Sequence, residues 1–299
     1  MFLSLKLINA HDFKNYYAFN QYFCVFGGYG GYQIIAYKNL DRLKDMLQKN
    51  MIRRLKDDVL DLPEKVFIDE IVYNTNTQQK LVDEYKRELL MHTAEIASSV
   101  NPLTKLLTLR QINDAPELVD ETIKVDKQYI SKNAKLQRTL DLCEEIIEAG
   151  EKVVIFSIWI EPLRMLYQYL SSQGYKLTYF TGTMKSEDRE KQKQLFMNDP
   201  EYKIMLGTVG ALGTTHTLTS ANHIIFYNEP WTYTDKLQAM DRIHRISQKN
   251  TCFIHTLLSK DTVDERVHDI VYTKKGIADF MVDDKIDFHN EDLIRSLIR

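Results

Sequence analysis

The chain has 299 residues, 44% of them apolar and 27% charged, with a formal net charge of −3. That length suits one large or two modest globular domains, and no run approaches the ~20 apolar residues a membrane-spanning helix needs. Three scattered cysteines, Cys24, Cys143 and Cys252, form no CxxC pair, which argues for reduced, buried thiols and against a disulfide framework or a zinc site.

The mild acidity also constrains partners: positive charge for any nucleic acid has to be concentrated in one groove. Met1–Ala10 is apolar but short, broken by Lys6 and without a basic start or cleavage-like site, so it reads as a helix. In FKNYYAFNQYFCVFGGYGGYQI the glycines Gly27, Gly28, Gly30 and Gly31 have the look of a phosphate cradle. A P-loop needs Lys and Ser or Thr after its glycines. Tyr32 and Gln33 follow instead, so a tight aromatic-lined turn is expected.

Leu40, Leu43, Leu47 and Met51 have helix spacing, and Leu62-Pro63 closes that helical run. Arg53, Arg54 and Lys56 form a small basic cluster, which on a lone helix is usually a solvated face. Val66–Tyr73 alternates as a strand, with Phe67, Ile71 and Tyr73 against Asp69. Residues 76–130 read as helical, with Leu81, Tyr85 and Leu89 on one face and no catalytic set.

From Ser131 onward short apolar strands alternate with amphipathic helices. Leu136, Leu140, Cys143 and Ile147 make a stripe that Gly150 stops; Leu163, Leu166, Tyr167 and Leu170 make another, stopped by Gly174. The strands are Lys152–Phe156, Lys176–Phe180, Tyr202–Leu206, His223–Tyr227 and Cys252–Leu258, and a last helix carries Val263, Val267, Ile270 and Val271. This order predicts an α/β fold: a doubly wound parallel sheet covered on both faces. Ligands gather at the carboxyl ends of such strands.

The polar residues fall at those ends. Ser157 follows the first strand, Thr181-Gly182-Thr183 the second, GTVGALGTTHTLTSANH (Gly207–His223) the third, and NEPWT with Trp231 the fourth. Small hydroxyl-bearing turns can offer amides and hydroxyls to a phosphate backbone, although many strands end this way for structural reasons alone. Gly210 and Gly213 allow close backbone approach. Trp231 could equally cap the core. His244, His255 and His268 lack metal-ligand spacing.

The chemistry concentrates in QAMDRIHRISQ, Gln238–Gln248. On a continuous helix Arg242 and Arg245, three apart, project from one side, with Gln238 a turn earlier and Asp241 and His244 interleaved. Two guanidiniums that cannot lose their protons beside a polar amide suit a polyphosphate. A solvated helix face with ordinary ion pairs is the bland alternative.

QxxDRxHRxxQ resembles the sixth motif of superfamily-two helicases, in the form carried by SWI/SNF-type DNA translocases. Other stretches share the resemblance. MIRRLKDDVLDLPEK is similar to the junction of the two motor lobes (RR-K…V…LP-x-K). LTLRQINDAPELV resembles the LRQ-x-x-x-x-P-x-L helix end. Ser157 and the Thr181–Thr183 turn, with Arg189, match the fourth motif region and the turn after it. Gly207–His223 resembles the fifth motif, although Val209 replaces the usual Arg and the run after Gly213 is longer, closer to bacterial and prophage members. Ser247 replaces the sixth motif's usual Gly. Trp231 matches the Trp of D-x-x-W-N-P. LLSKDTVDERVHDIV is similar to the T-I-x-E-x-I closing helix, with Thr262, Glu265 and Arg266 read as packing and capping residues.

The resemblance implies a RecA-like C-terminal motor lobe over residues 51–275 with a helical insertion at 76–130, the end of a truncated first lobe at 1–50 and a tail at 276–299. It implies arginine fingers at Arg242 and Arg245, nucleotide-side roles for Gln238, Asp241 and Gly213, and a DNA track of Ser157, Thr181, Gly182, Thr183, Thr208, Thr217 and Trp231. No GxxxxGK[ST] and no DExH strand end occurs in the sequence. Those parts belong to the family's first lobe, so Met1 looks like an artificial or secondary start. ATP and Mg²⁺ are then expected only in an intact protein, with neither bound by this fragment. The partners implied are duplex DNA and the missing first lobe, without a membrane, in the cytoplasm. A stand-alone, non-catalytic nucleic-acid or protein-binding module is the alternative from a different class, and a strand-separating RNA helicase half is a third.

Overall fold

A computed structural model describes residues 2–27, 29–50, 52, 60–91, 102–123, 129–212 and 217–272. The chain falls into two compact units, Met1–Val59 with Asp269–Arg299, and Leu60–His268. The RR-K cluster at Arg53, Arg54 and Lys56 lies outside the described residues, as do Gly213, Thr214 and Thr215.

The first unit has its own aromatic core. Helices α1 (Phe2–Leu7), α2 (Tyr16–Phe23) and α3 (Leu40–Asn50) bury Phe2, Leu5, Phe19, Phe23, Leu43 and Leu47 together. The glycine-rich stretch is a turn at Tyr29–Gly31 between antiparallel strands β1 (Cys24–Gly27) and β2 (Gln33–Tyr37), and no helix follows it to form a phosphate loop.

The second unit is a six-stranded parallel sheet in the order β3-β8-β7-β4-β6-β5. Its strands are β3 (Lys65–Val72), β4 (Val153–Ser157), β5 (Lys176–Phe180), β6 (Tyr202–Thr208), β7 (His223–Phe226) and β8 (Cys252–Ser259). Val153, Val154, Ile155 and Phe156 are all fully buried, as a central strand covered on both sides requires. Alternate residues feed two cores. Val153, Ile155, Ile204, Leu206 and Ile225 pack with α6 (Ala134–Glu148) and α7 (Ile160–Ser172). Val154, Phe156, Met205, Ile224 and Phe226 pack with Phe196 of α8 (Ser186–Asn198), Leu212 of α9 (Val209–Leu212) and Met240 of α10 (Tyr233–Met240).

The two helix stops read in the sequence are present: Gly150 and Gly174 adopt φ +82° and +87°, the left-handed conformation that ends a helix cheaply only at glycine. The insertion is less helical than its sequence pattern implies. Helices α4 (Asn76–Met91) and α5 (Pro102–Asp114) form, but the regular helix ends at Asp114, before Ala115-Pro116. The pyrrolidine ring disfavours helical backbone at the residue before it. The alternation of β3 marks a strand, yet Phe67, Ile71 and Tyr73 lie on its exposed face. Glu70 on the other face is held by His255 and Arg138. Among the described residues no helix is long and apolar enough to cross a membrane. Cys24, Cys143 and Cys252 are free and buried, and burial pushes the Cys143 thiol up to about 12.

Candidate functional site

Because the strands are parallel and in register, their carboxyl ends form one edge. Ser157 pairs with Thr208, Phe156 with Phe226, and Phe180 with Gly207. The turns after β4, β5, β6 and β7 therefore share one side of the sheet. Gly207 marks the tightest point. A Cβ there would come within 2.7 Å of Leu212 and 3.1 Å of the Phe180 carbonyl, so only glycine lets β6 pass into α9 at this spacing.

The Gln238 segment differs from the continuous helix expected from its sequence. Helix α10 is capped by Thr232, whose hydroxyl accepts from Asp235 N at 3.1 Å, and it ends at Met240 with Asp241 as its C-cap. Residues 241–247 continue as tight turns, with Ile243 N and His244 N both donating to Met240 O. The physical reason is burial: Ile243 and His244 are pulled inward, and His244 Nε2 lies 2.8 Å from Pro63 O. Arg242 and Arg245 thus emerge from turns rather than from one helix face.

A clip holds these turns to the Gly207–His223 loop. Arg245 Nη1 donates to Thr217 Oγ1 at 2.7 Å, Leu218 N to Arg242 O at 2.8 Å, and Gln248 Nε2 to Ala221 O at 2.8 Å. Thr219 and Ser247 share a hydroxyl hydrogen bond at 2.9 Å, so the serine in place of the usual glycine acquires a partner. Gln238 acts through its backbone: Arg242 Nε donates to its carbonyl at 3.1 Å. Burial, then the neighbouring Arg245 cation, holds the Arg242 guanidinium below its ordinary pKa, while Asp241 opposes the shift. The two cations are therefore close enough to repel, and an anion between them would relieve that repulsion. Guanidiniums accept no metal, so this pair fits phosphate oxygens and cannot itself ligate Mg²⁺.

The expected DNA-track residues divide. Gly182 and Thr183 are exposed, and Thr208 and Trp231 are half-buried. Arg189 secures the first turn by donating to Gly182 O at 2.6 Å and Met184 O at 2.9 Å. Thr181 is buried and bonds Thr183 at 3.1 Å, and Thr217 serves Arg245. Ser157 is fully buried, so the expected outward hydroxyl needs correcting: its Oγ accepts from Trp159 N at 3.0 Å and Asn228 Nδ2 at 3.2 Å. It holds the loop from behind, because Asn228 and Trp159 close over the strand end.

Behind this edge lies a buried ionic network that sequence reasoning missed. Lys135 Nζ sits 2.7 Å from Asp114 Oδ1 and 2.5 Å from Asp264 Oδ2. Asp114 Oδ2 accepts from Trp159 Nε1 at 2.9 Å and Asn228 Nδ2 at 3.0 Å, and Asn228 Oδ1 accepts from Ile158 N at 2.8 Å. Lys236 Nζ pairs with Glu229 Oε1 at 2.9 Å and donates to Thr256 Oγ1 at 2.9 Å, while His268 lies 3.2 Å from Glu229 Oε2. Burial acts to raise the Glu229 carboxyl, but His268 and Lys236 outweigh it and hold it below its ordinary value. Thr262 caps the closing helix, its hydroxyl accepting from Asp264 N, as its position there predicts.

Residues 134–247 match the model of the helicase conserved C-terminal domain. The chain is 31% identical over 245 residues to the human SWI/SNF-related matrix-associated actin-dependent regulator of chromatin subfamily A member 1, covering 77% of this chain and 23% of that protein. It is 25% identical over 254 residues to the putative ATP-dependent helicase/translocase YwqA of Bacillus subtilis, covering 82% of this chain and 27% of that one. The Sulfolobus solfataricus SWI2/SNF2 ATPase core, solved in complex with dsDNA, superposes with a TM-score of 0.60 at 25% identity, covering 87% of this chain and 56% of that one. The fold and its edge define a helicase C-terminal domain. Residues 134–247 are a helicase conserved C-terminal domain, and the chain has the C-terminal RecA-like lobe fold of its SWI2/SNF2 ATPase homologues. It spans about a quarter of the length of the curated relatives it matches.

Proposed function

We propose that this chain is the trans-acting half of the ATP site of a duplex-DNA translocase, in which Arg242 and Arg245 are the arginine fingers. The observation that carries the reading is the clip. It holds Arg245 through Thr217 and Arg242 through Leu218 N and Gln238 O, so both cations are pre-set before a phosphate arrives. Preorganised charge is what phosphoryl transfer asks of a protein, and a finger contributes about 10³–10⁵ in rate. ATP would lie between this lobe and a first lobe that supplies the phosphate cradle and the Mg²⁺ ligands. Asp241 would keep the pair oriented. Gly182, Thr183, Thr208 and Trp231 would meet one backbone of the duplex, with Thr181, Thr217 and Ser157 supporting them.

The test is steady-state ATPase measured on the chain alone and on the chain joined to the first lobe of the Bacillus subtilis relative, each with and without duplex DNA. The chain alone should show no DNA-stimulated turnover. The joined protein should turn over, and Arg245→Ala should abolish this while sparing DNA binding. Mg²⁺-dependent turnover by the pure chain, sensitive to Arg245→Ala, would remove the need for a first lobe.

A further inference from the structure

Arg110 is the residue on α5 whose environment stability alone does not explain. It is fully buried, its Nη2 donates to Glu229 O at 2.7 Å, and its Nε lies 3.7 Å from Asp264 Oδ1. Its Nε and Nη1 make no hydrogen bond among the described residues. Leaving buried donors unsatisfied is costly, and a buried ion pair replaced by apolar groups of similar volume is often neutral or stabilising. A guanidinium in this place therefore calls for a reason other than stability. That reason is Trp231. The guanidinium carbon lies over the Trp231 ring, 4.3 Å from its centroid, a close cation–π contact.

The same side chain thus touches both ends of a three-residue step, donating to the Glu229 carbonyl and lying over the Trp231 ring. Its own position is set from two sides, by Asp264, which Lys135 anchors, and by the Glu229 loop, which Lys236 of α10 anchors. Trp231 is half-buried, so part of its surface remains at the strand-end edge while Arg110 closes it from within.

We infer that Arg110 is a positioning residue that sets the plane of Trp231 for contact with the DNA backbone. The inference rests on the proposed DNA-facing role of Trp231. Lysine does not replace Arg110, because an ammonium is a compact point charge that lacks the delocalised guanidinium lying over the Trp231 ring.

The experiment is a double-mutant cycle on the full chain, read by fluorescence anisotropy of a labelled random-sequence duplex at low salt. Arg110→Lys is expected to weaken binding at least about twofold, the lower end of a cation–π contribution, and by no more than Trp231→Ala does. In a Trp231→Ala background Arg110→Lys should cost nothing further, since a residue acting through another cannot add to its loss. The chain holds two tryptophans, so ¹⁹F spectra of 5-fluorotryptophan protein give two resonances, assigned with Trp159→Phe and Trp231→Phe. Arg110→Lys should move the Trp231 resonance without DNA and leave that of Trp159 in place.

Additive losses in the cycle, or an unmoved Trp231 resonance, would overturn the inference. If Trp231→Ala leaves affinity unchanged while its resonance still moves in Arg110→Lys, the DNA-facing reading of Trp231 falls and the Arg110–Trp231 coupling stands. Should the lysine variant lose cooperative thermal unfolding, Arg110→Gln is used in both measurements, since it keeps a donor for Glu229 O and removes the cation.

Discussion

Replacing Lys135 with methionine tests whether the buried network holds the strand-end loops. Lys135, Asp114 and Asp264 are exposed by 0%, 0% and 2%. At 2.7 and 2.5 Å and an effective dielectric of about 20, each pair attracts by roughly 6 kcal/mol before desolvation is subtracted. Burial acts to pull the Lys135 ammonium down, but the two carboxylates outweigh it, and its pKa lies above the ordinary value. Methionine leaves two carboxylates buried without their cation, which costs about 3–5 kcal/mol. For a unit of this size that lowers Tm by roughly 6–20 °C.

The loss should depend on pH with a definite sign. Burial already holds the Asp114 carboxyl above its ordinary value while Lys135 opposes the shift, so losing Lys135 raises it further. The deficit is then largest at neutral pH and shrinks as pH falls and Asp114 protonates. Urea denaturation of wild type and Lys135→Met at several pH values reads both effects. Neutralising all three positions, Asp114→Asn with Lys135→Met and Asp264→Asn, should recover most of the loss. A deficit below about 1 kcal/mol, or one that does not change with pH, would refute the ionic account.

Three further outcomes are expected. In a complete two-lobe protein Arg245→Lys should lower kcat by about 10³ or more with DNA affinity retained, since an ammonium lacks the fork; near-normal kcat would remove Arg245 from the site. Gly207→Ala should destabilise the Leu60–His268 unit in thermal melts, because its methyl meets Leu212 and the Phe180 carbonyl; an unchanged Tm would show that α9 yields freely. Burial raises the Glu117 carboxyl from 4.5 to about 7, so the folded state favours its protonated form. Its stabilising contribution is present at low pH and lost as pH rises between those two values, and Glu117→Gln should remove that part of the pH slope in denaturation experiments.

The parallel core was legible because each of its signals is local. A strand buried on both faces reads as an apolar run such as Val153–Phe156, and Gly150 and Gly174 stop helices by a property of a single residue. The arginine pair was legible as a motif. The backbone that presents it was not, because RIHRIS fits helical spacing and only the burial of Ile243 and His244 bends it into turns. The ionic network was hidden for a related reason. A charged residue on an amphipathic helix reads as solvated, and its partners Asp114 and Asp264 lie far away in sequence. One trace was present: Lys135 shares its stripe with Thr139, Leu142 and Ile146, all buried. A lysine inside an apolar stripe signals a buried carboxylate somewhere else in the chain.

The network also bears on how an acidic chain could serve the proposed polyanion. Arg110, Lys135 and Lys236 are all buried with Asp114, Asp264 and Glu229. Three cations and three acids cancel inside the fold, so the net charge of −3 is carried elsewhere. On the proposed reading DNA would lie at the strand-end edge, where Gly182, Thr183, Thr208 and Trp231 offer amides, hydroxyls and a ring. Contacts of that kind release few counterions, so affinity for duplex should fall only gently with salt, by about 0.9 in log–log slope for each phosphate neutralised. They also carry no base information. A lobe that grips weakly and without sequence preference can let go and re-grip along a backbone. On the proposed reading, tight holding would then fall to the nucleotide-dependent closure of two lobes, in which this one would supply Arg242 and Arg245.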